Sequence, residues 1–442
     1  MNRSSSSSQR PWLRPLASLL PTLLFGLPAL ANSDGVEGAQ TDGPTIRAGY
    51  DDVPEFGGPG SVGATLKEDD RPTEPAMRFD GIKRGLSPYF DWKANLKSKH
   101  GLSLGTDYTA VYERATESLG EDRGASGIFR LFGNWTLTGR DTDNPGSLVF
   151  KVESRHKLGT AIPPSGLGFE TGYVGLTAAP FNDAGWWLSN FYWQQKLRGG
   201  KTTVMAGQVD ATDYLDIYGL INPWTHFTNL AFLTGSGAMP APNMGLGAVV
   251  GTMLTDQLYL IAGFADSNGD PHDPLKGFDT LFSDTETFKH IELGWTPSRD
   301  QIYLDNYHVT LWQVDERTEA GVPDGWGANA SFAKFINGDT MPFLRAGYSD
   351  DGGALLEKSV SVGVGRYFRE HSDVFAVGLN WGKPSTDFGV NLDDQYTLEA
   401  FYRFQLSENF AITPDLQWVI DPALNPAESS LAILGVRARL SI

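Results

Sequence analysis

The chain has 442 residues, no cysteine, 51 glycines and a formal net charge of −18, with 12% aromatic and 20% charged residues. The absence of cysteine excludes disulfide scaffolds, cysteine-ligated metal centres and cysteine nucleophiles, and the acidic balance argues against nucleic acid as a partner. The mean hydropathy of −0.26 is too polar for a bundle of membrane helices, whereas many glycines and aromatics with few charges suit one large all-β protein.

Residues 1–31 are predicted to be a secretory signal peptide. Three arginines precede an apolar run from Leu16 to Leu30, which ends in an A-x-A cleavage pattern at Ala31. The run is shorter than the roughly 20 apolar residues of a spanning helix, and two prolines interrupt it. We therefore expect the mature chain to be exported.

Residues 32–85 are predicted to be a flexible leader, because they are rich in glycine, proline and acidic side chains and carry few large apolar residues in periodic order. Residues 86–100 are predicted to form a short periplasmic helix, with Tyr89, Phe90 and Leu96 on one side.

From Leu102 onward, apolar and polar residues alternate with a period of two, which predicts β-strands. The clearest runs are 396–404, 410–420 and 434–442, where one face is apolar and the other is charged or small. Their length is close to the 9–11 residues or so of a tilted membrane strand.

Alternation alone fits two architectures, a soluble sandwich and an outer-membrane barrel whose apolar face meets lipid. Long and numerous strands favour the barrel, as do short links that alternate with long ones. Aromatic residues also recur near strand ends, as an interfacial girdle requires; they are Tyr112, Trp295, Trp381, Tyr396 and Trp418. We predict an all-β fold, a transmembrane antiparallel β-barrel with a constriction loop folded into the lumen.

The strand count decides at which rim of the barrel the long linker Asp210–Gly245 lies. The alternating segments add up to an odd number, whereas a bacterial barrel needs an even one, so we predict 16 strands. Counting back from Ile442 places the linker at the outer rim after strand five, and counting from the N-terminus places it at the other rim. The linker is too apolar to lie in water, so folding it into the barrel would hide its apolar side and narrow the pore.

Two motifs are rejected. Gly101 to Gly105 matches G-x-S-x-G, but Ser103 lies within an alternating strand and not at a strand-to-helix turn. Asp266, Asn268 and Asp270 have the opening spacing of a calcium loop, but the loop's later glycine and glutamate are replaced by proline and glycine. No metal, cofactor or catalytic residue is expected.

Several stretches resemble the carbohydrate-selective porins of the OprB family. The C-terminal stretch 395–442 carries E-A-F-Y-R, T-P-D-L-Q and P-A-L-N-P; the central stretch 207–232 and V-E-S-R-H-K-L-G at 152–159 are also similar. The resemblance covers residues 86–442. It implies a 16-stranded porin of the cell outer membrane, a monomer or homotrimer in contact with lipid, that passes small neutral sugars such as glucose.

A neutral sugar offers hydroxyl groups and an apolar ring face, so charged and aromatic side chains in a lumen would recognise it. The candidate substrate-binding residues are Arg130, Glu153 and Arg155 on inward strand faces, and Asp213, Asp216, Trp224 and Asn229 in the long linker. Each strand charge could equally be an ordinary lumen residue. The linker residues could instead anchor the linker by packing, turn capping or pairing with wall arginines.

Two other functions remain open at this point. A general diffusion porin without sugar preference would have the same strand pattern. An exported all-β hydrolase would need a catalytic constellation that the sequence does not supply.

Overall fold

The computed structural model describes residues 56–442, so the predicted signal peptide and residues 32–55 of the leader lie outside the described residues. The described chain forms a closed barrel of 16 antiparallel strands, in which each strand pairs with its neighbours in sequence and β1 pairs with β16. The strands are β1 Leu102–Ala115, β2 Arg123–Thr138, β3 Gly146–Lys157, β4 Gly185–Leu197, β5 Thr202–Val209, β6 Gly245–Met253, β7 Leu258–Asp266, β8 Thr287–Trp295, β9 Asn306–Val314, β10 Gly325–Ala333, β11 Thr340–Asp351, β12 Leu356–Phe368, β13 Asp373–Pro384, β14 Gln395–Ser407, β15 Phe410–Ile420 and β16 Ser430–Ser441.

The two faces of each strand meet different surroundings, as β16 shows. Leu434 is 59% exposed on the outer face, whereas Arg437 on the inner face is 3% exposed. Apolar side chains outside and charged ones inside reverse the pattern of a soluble sandwich, and they are typical of a barrel surrounded by lipid. The predicted choice of a barrel over a sandwich is confirmed.

The two rims differ in the length of their connections. The short-turn rim carries 198–201, 254–257, 369–372 and 408–409, and the long-loop rim carries 158–184, 210–244 and 267–286. The linker after β5 therefore belongs to the long-loop rim, as counting back from Ile442 predicts. The count from the N-terminus is wrong, since it places the linker at the other rim.

The helices are α1 Val62–Asp70, α2 Asp80–His100, α3 Pro164–Glu170 and the single turn α4 Gly277–Asp279, with a π-helical turn at Thr280–Asp284. Short 3-10 helices lie at Ala211–Asp213, Leu230–Phe232, Thr234–Gly237, Arg299–Gln301 and Thr386–Phe388. No helix within residues 56–442 is both long and apolar enough to cross a membrane.

The residues before β1 are more ordered than the sequence predicts. Helix α2 begins at Asp80, earlier than the expected 86, and ends at His100; the capping residue Gly101 follows, with a φ of +72° that favours glycine. Helix α1 lies inside the stretch expected to be flexible, and Val62 and Leu66 are buried in the barrel. Composition alone predicts a flexible leader, whereas α1 is ordered by the lumen surfaces against which it packs.

Candidate functional site

Residues 210–244, which we call the constriction loop, fold back inside the barrel. Their aromatic side chains pack on the wall, where the ring centres of Tyr218 and Phe343 are 5.0 Å apart and those of Phe227 and Phe401 are 5.1 Å apart. Phe227 also stacks on Phe232 within the loop at 4.7 Å. The predicted inward fold of this segment is confirmed, and burial of its apolar side explains it.

Buried polar side chains of the wall also hold the constriction loop. Glu399 on β14 accepts hydrogen bonds from the backbone N–H groups of Thr228 at 2.8 Å and Asn229 at 3.0 Å. Arg437 on β16 donates to the carbonyl oxygens of Pro223 and His226 at 2.7 and 2.8 Å. These contacts satisfy loop backbone groups that have no strand partner.

A second segment, residues 158–184, also turns inward, and the sequence analysis missed it. Tyr173 is 1% exposed and donates to Asn229 Oδ1 at 3.0 Å, and Thr177 donates to Glu113 Oε2 at 2.6 Å. We call this segment the inner segment. Its alternation is weak and its glycines are many, so its composition resembles that of an ordinary outer loop.

The constriction loop, the inner segment and the wall of β3 enclose a cavity of about 430 Å³ near the long-loop rim. This volume lies within the range of roughly 300–1,000 Å³ that is common for small-molecule sites. We call it the outer cavity. Its polar and aromatic lining includes Lys151, Glu153, Arg155, Asn182, Trp187, Asp210, Thr212, Asp213, Trp224 and Asn243.

Two ion pairs and two indole rings give the outer cavity its chemistry. Arg155 Nε donates to Glu153 Oε2 at 2.9 Å, and Lys151 Nζ lies 3.1 Å from Asp213 Oδ2. The guanidinium carbon of Arg155 lies 4.0 Å from the centre of the Trp187 ring, a distance at which a cation and an aromatic face attract. The cavity thus combines charged donors, charged acceptors and flat apolar surfaces.

The structure separates the seven predicted site residues into three groups. Glu153, Arg155, Asp213 and Trp224 line the outer cavity. Arg130 lies behind this lining: it pairs with Asp107, and its guanidinium carbon is 3.9 Å from the centre of the Trp224 ring.

The third group, Asp216 and Asn229, holds the constriction loop in place. Asp216 is 1% exposed, pairs with Arg345 and lies 2.9 Å from His308 Nε2. Asn229 is fully buried, and its amide donates to Gln417 Oε1 at 2.8 Å. Asp216 thus pairs with a wall arginine, which is the alternative role that the sequence analysis left open for it.

Lys151 and Trp187 are two of the lining residues that were not predicted, and the sequence carried a signal for one of them. Lys151 has the same parity as Glu153 and Arg155 on β3, so alternation already places it on the inward face. Trp187 lies at the start of β4 among several aromatics, and the sequence does not indicate which of them face the cavity.

Within the described residues 56–442, no group of three or more histidine, aspartate or glutamate side chains is placed to hold a metal ion. Of the carboxylates that line the outer cavity, Asp213 and Glu153 pair with Lys151 and Arg155, and Asp210 accepts hydrogen bonds from Thr212.

The family comparison decides what kind of barrel this is. The model of the carbohydrate-selective porins, OprB family, matches residues 89–324 and 326–441. The chain belongs to the OprB family. No curated protein matches this OprB-family chain.

Solved structures are similar to this OprB-family barrel. The high-pH structure of Pseudomonas putida OprB has a TM-score of 0.64 at 14% identity, over 80% of this chain and 97% of that one. The low-pH structure of the same protein gives 0.48 at 13% identity over the same shares, and a mutant of the Rh. blastica porin gives 0.45 at 14% identity over 77% and 100%. At this identity the likeness to the high-pH structure shows the barrel fold alone.

Proposed function

We propose that this OprB-family barrel lies in the cell outer membrane and lets neutral sugars of the size of glucose diffuse passively into the periplasm. The observation that supports it best is the outer cavity, where the Glu153–Arg155 and Lys151–Asp213 pairs lie beside the rings of Trp187 and Trp224. The family match and the barrel fold favour a channel over an enzyme. The signal peptide predicted at 1–31 fits export.

The lining supplies both kinds of hydrogen-bonding group that a sugar uses. Arg155 and Lys151 donate to hydroxyl oxygens, and Glu153 and Asp213 accept from hydroxyl groups. The indole rings of Trp187 and Trp224 add apolar surface to the lining, which suits the C–H side of a sugar ring. Each charge is already paired within the wall or loop, so a charged solute gains little, whereas a polyhydroxylated neutral one finds partners of both kinds.

Passive transport also requires that the sugar leaves again. A channel site must bind favourably enough to admit its solute and weakly enough to release it. An ion pair meets this condition, because the Glu153–Arg155 contact competes with the sugar for the same groups and re-forms when the sugar leaves. Arg130 takes part indirectly by holding Trp224, and Asp216 and Asn229 by holding the constriction loop.

The test is planar-bilayer conductance of the purified full-length protein with increasing glucose. We expect a concentration-dependent and saturable block of the ion current. The acyclic hexitol mannitol, which has similar mass and no ring face, is the matched control and should block less. Equal effects of both solutes, or no block at high glucose, would show a general diffusion porin and contradict the proposal.

A further inference from the structure

Residues 56–71, which we call the N-terminal segment, lie inside the barrel, although the family match begins only at residue 89. Phe56, Val62 and Leu66 are 2%, 1% and 6% exposed and belong to the same apolar cluster as the wall and the constriction loop. An amphipathic helix with this burial is held by tertiary packing. The segment therefore occupies part of the pore.

The N-terminal segment crosses the lumen from one wall to the opposite wall. At one end, the ring of Phe56 covers Gly251 on β6, where a Cβ atom would lie 2.4 Å from Phe56 Cγ. At the other end, Glu68 lies 3.6 Å from Arg403 on β14. Strands β6 and β14 are half a circuit apart in a closed barrel of 16 strands, so these contacts are on opposite sides.

Its middle part packs closely against the constriction loop. The N–H of Gly58 donates to the carbonyl oxygen of Asp213, and Asn222 Nδ2 donates to the carbonyl oxygen of Pro59 at 3.0 Å. A Cβ atom at Gly58 would lie 2.5 Å from Ile217 Cγ2, so only glycine fits this approach. Gly60 forms part of the lining of the outer cavity. The segment thus fills space that the constriction loop leaves open.

The fastening of α1 to the wall is ionic. The two carboxylate oxygens of Asp69 lie 2.8 Å from Nη1 and Nη2 of Arg439, a bidentate pair. Arg439 also donates to Asp107, which in turn pairs with Arg130. Breaking one partner of a buried ion pair is strongly destabilising, so removing the α1 carboxylates should release this end of the segment.

We propose that the N-terminal segment is a plug that holds the passage in a low-conductance state, fastened by the Asp69–Arg439 and Glu68–Arg403 pairs. The proposal rests on the proposed function in one respect, namely that the lumen is a conducting path. Gly60 lines the outer cavity and α1 lies beside residues 408–409 of the short-turn rim, so the segment lies between the cavity and that rim. One pocket beside α1, lined by Glu68, Asp69, Arg403 and Arg439 among others, has a volume of about 30 Å³, against about 430 Å³ for the outer cavity.

The first test is the conductance in potassium chloride of the full-length variant Glu68→Gln/Asp69→Asn. We expect a several-fold higher single-channel conductance than in the unmodified protein, because α1 loses both of its ionic contacts with the strands. Asp256→Asn is the matched control, since Asp256 forms an exposed pair with Lys201 at the short-turn rim and should leave the conductance unchanged. If the correctly folded Glu68→Gln/Asp69→Asn variant had unchanged conductance, the plug proposal would be overturned.

A reversible cross-link supplies the second test. In the Glu68→Gln/Asp69→Asn variant, Phe56→Cys and Gly251→Cys place two thiols where the Cβ atoms lie 2.7 Å apart. This is shorter by about 0.8 Å than the usual lower limit of about 3.5 Å for a disulfide, so a small shift of the segment lets the bond form. Because the chain has no cysteine of its own, no other disulfide can form. We expect low conductance when the pair is oxidised and high conductance when it is reduced, with no redox effect in either single-cysteine variant. Equal conductance in both states overturns the proposal.

These measurements separate the plug from the sugar function. If conductance responds to the variants and the cross-link but glucose does not block the open channel, the plug stands and the proposed sugar function fails. If glucose blocks the current but neither the variants nor the cross-link alters conductance, the plug fails and the sugar function stands.

Discussion

At the scale of single residues, several charges of the inner wall neutralise one another in pairs. Arg130 pairs with Asp107, and Asp107 also accepts from Arg439. Arg155 pairs with Glu153 two residues away on the same face of β3. Such pairs keep a charged wall compatible with a confined lumen, because a lone buried charge is costly. They also leave donors and acceptors side by side, which is what a neutral polyhydroxylated solute can use.

The Glu153–Arg155 pair gives a prediction at this scale. Replacing both residues, Glu153→Gln/Arg155→Gln, leaves no buried unpaired charge but removes the charge-assisted bonds to a sugar. Since such a bond contributes about 1.5–3 kcal/mol, we expect the glucose concentration for half-block to rise about tenfold or more. Conductance block in bilayers measures this. Arg366→Gln, at an exposed arginine, is the control, and an unchanged half-block concentration in the double variant would show that the pair does not bind sugar.

At the scale of elements, the strands and the constriction loop follow different rules. A strand is fixed by its ladder and by alternation, so its outward residues form the lipid-facing surface; Leu311 on β9 is 51% exposed there. The constriction loop has no ladder, so it depends on aromatic packing and on wall side chains such as Glu399 and Arg437. The wall is therefore set by local sequence, and the loop by residues far away in the chain.

The lipid-facing surface gives a prediction at the element scale. Leu311→Arg places a charge midway along β9 on the outer face and should lower the free energy of unfolding by about 2–4 kcal/mol. Leu254→Arg makes the same change at an equally exposed residue in the turn 254–257 and should cost only about 0–1 kcal/mol. Denaturant unfolding in lipid vesicles compares the two. Equal losses would mean that the face of β9 does not lie in hydrocarbon.

At the scale of the whole molecule, closure removes every strand edge. The last pairing joins β1 to β16, with Tyr108 opposite Leu440 and Tyr112 opposite Val436. Open edges cannot be tolerated in lipid, because their N–H and C=O groups would have no partners. The pairing joins residues more than 300 positions apart, so the two ends of the barrel domain depend on each other.

Closure gives a prediction for the whole barrel. Deleting 430–442 removes β16 and exposes an edge on β1 and on β15, so we expect loss of the compact form that migrates faster on a detergent gel before heating. Deleting 389–393, within the connection between β13 and β14, leaves all the ladders intact and serves as the control. If the protein without β16 still showed heat-modifiable migration, closure through the β1–β16 pair would not be needed.

The sequence by itself determined the wall. Alternation in runs such as 434–442 identified the strands and their two faces, because side-chain direction in a strand depends only on parity. The same parity placed Arg130, Glu153 and Arg155 inside, and the length and apolar character of Asp210–Gly245 indicated a segment folded into the lumen.

Only the tertiary structure decided what fills the lumen. In the folded protein, Asp216 and Asn229 hold the constriction loop and Trp187 lines the outer cavity. Residues 158–184 turn inward, and the N-terminal segment lies across the pore. These outcomes follow from pairings between residues distant in sequence, such as Asp69 with Arg439 and Asn229 with Gln417. A segment without periodic structure takes its conformation from the surfaces it meets, and those surfaces exist only once the barrel has closed.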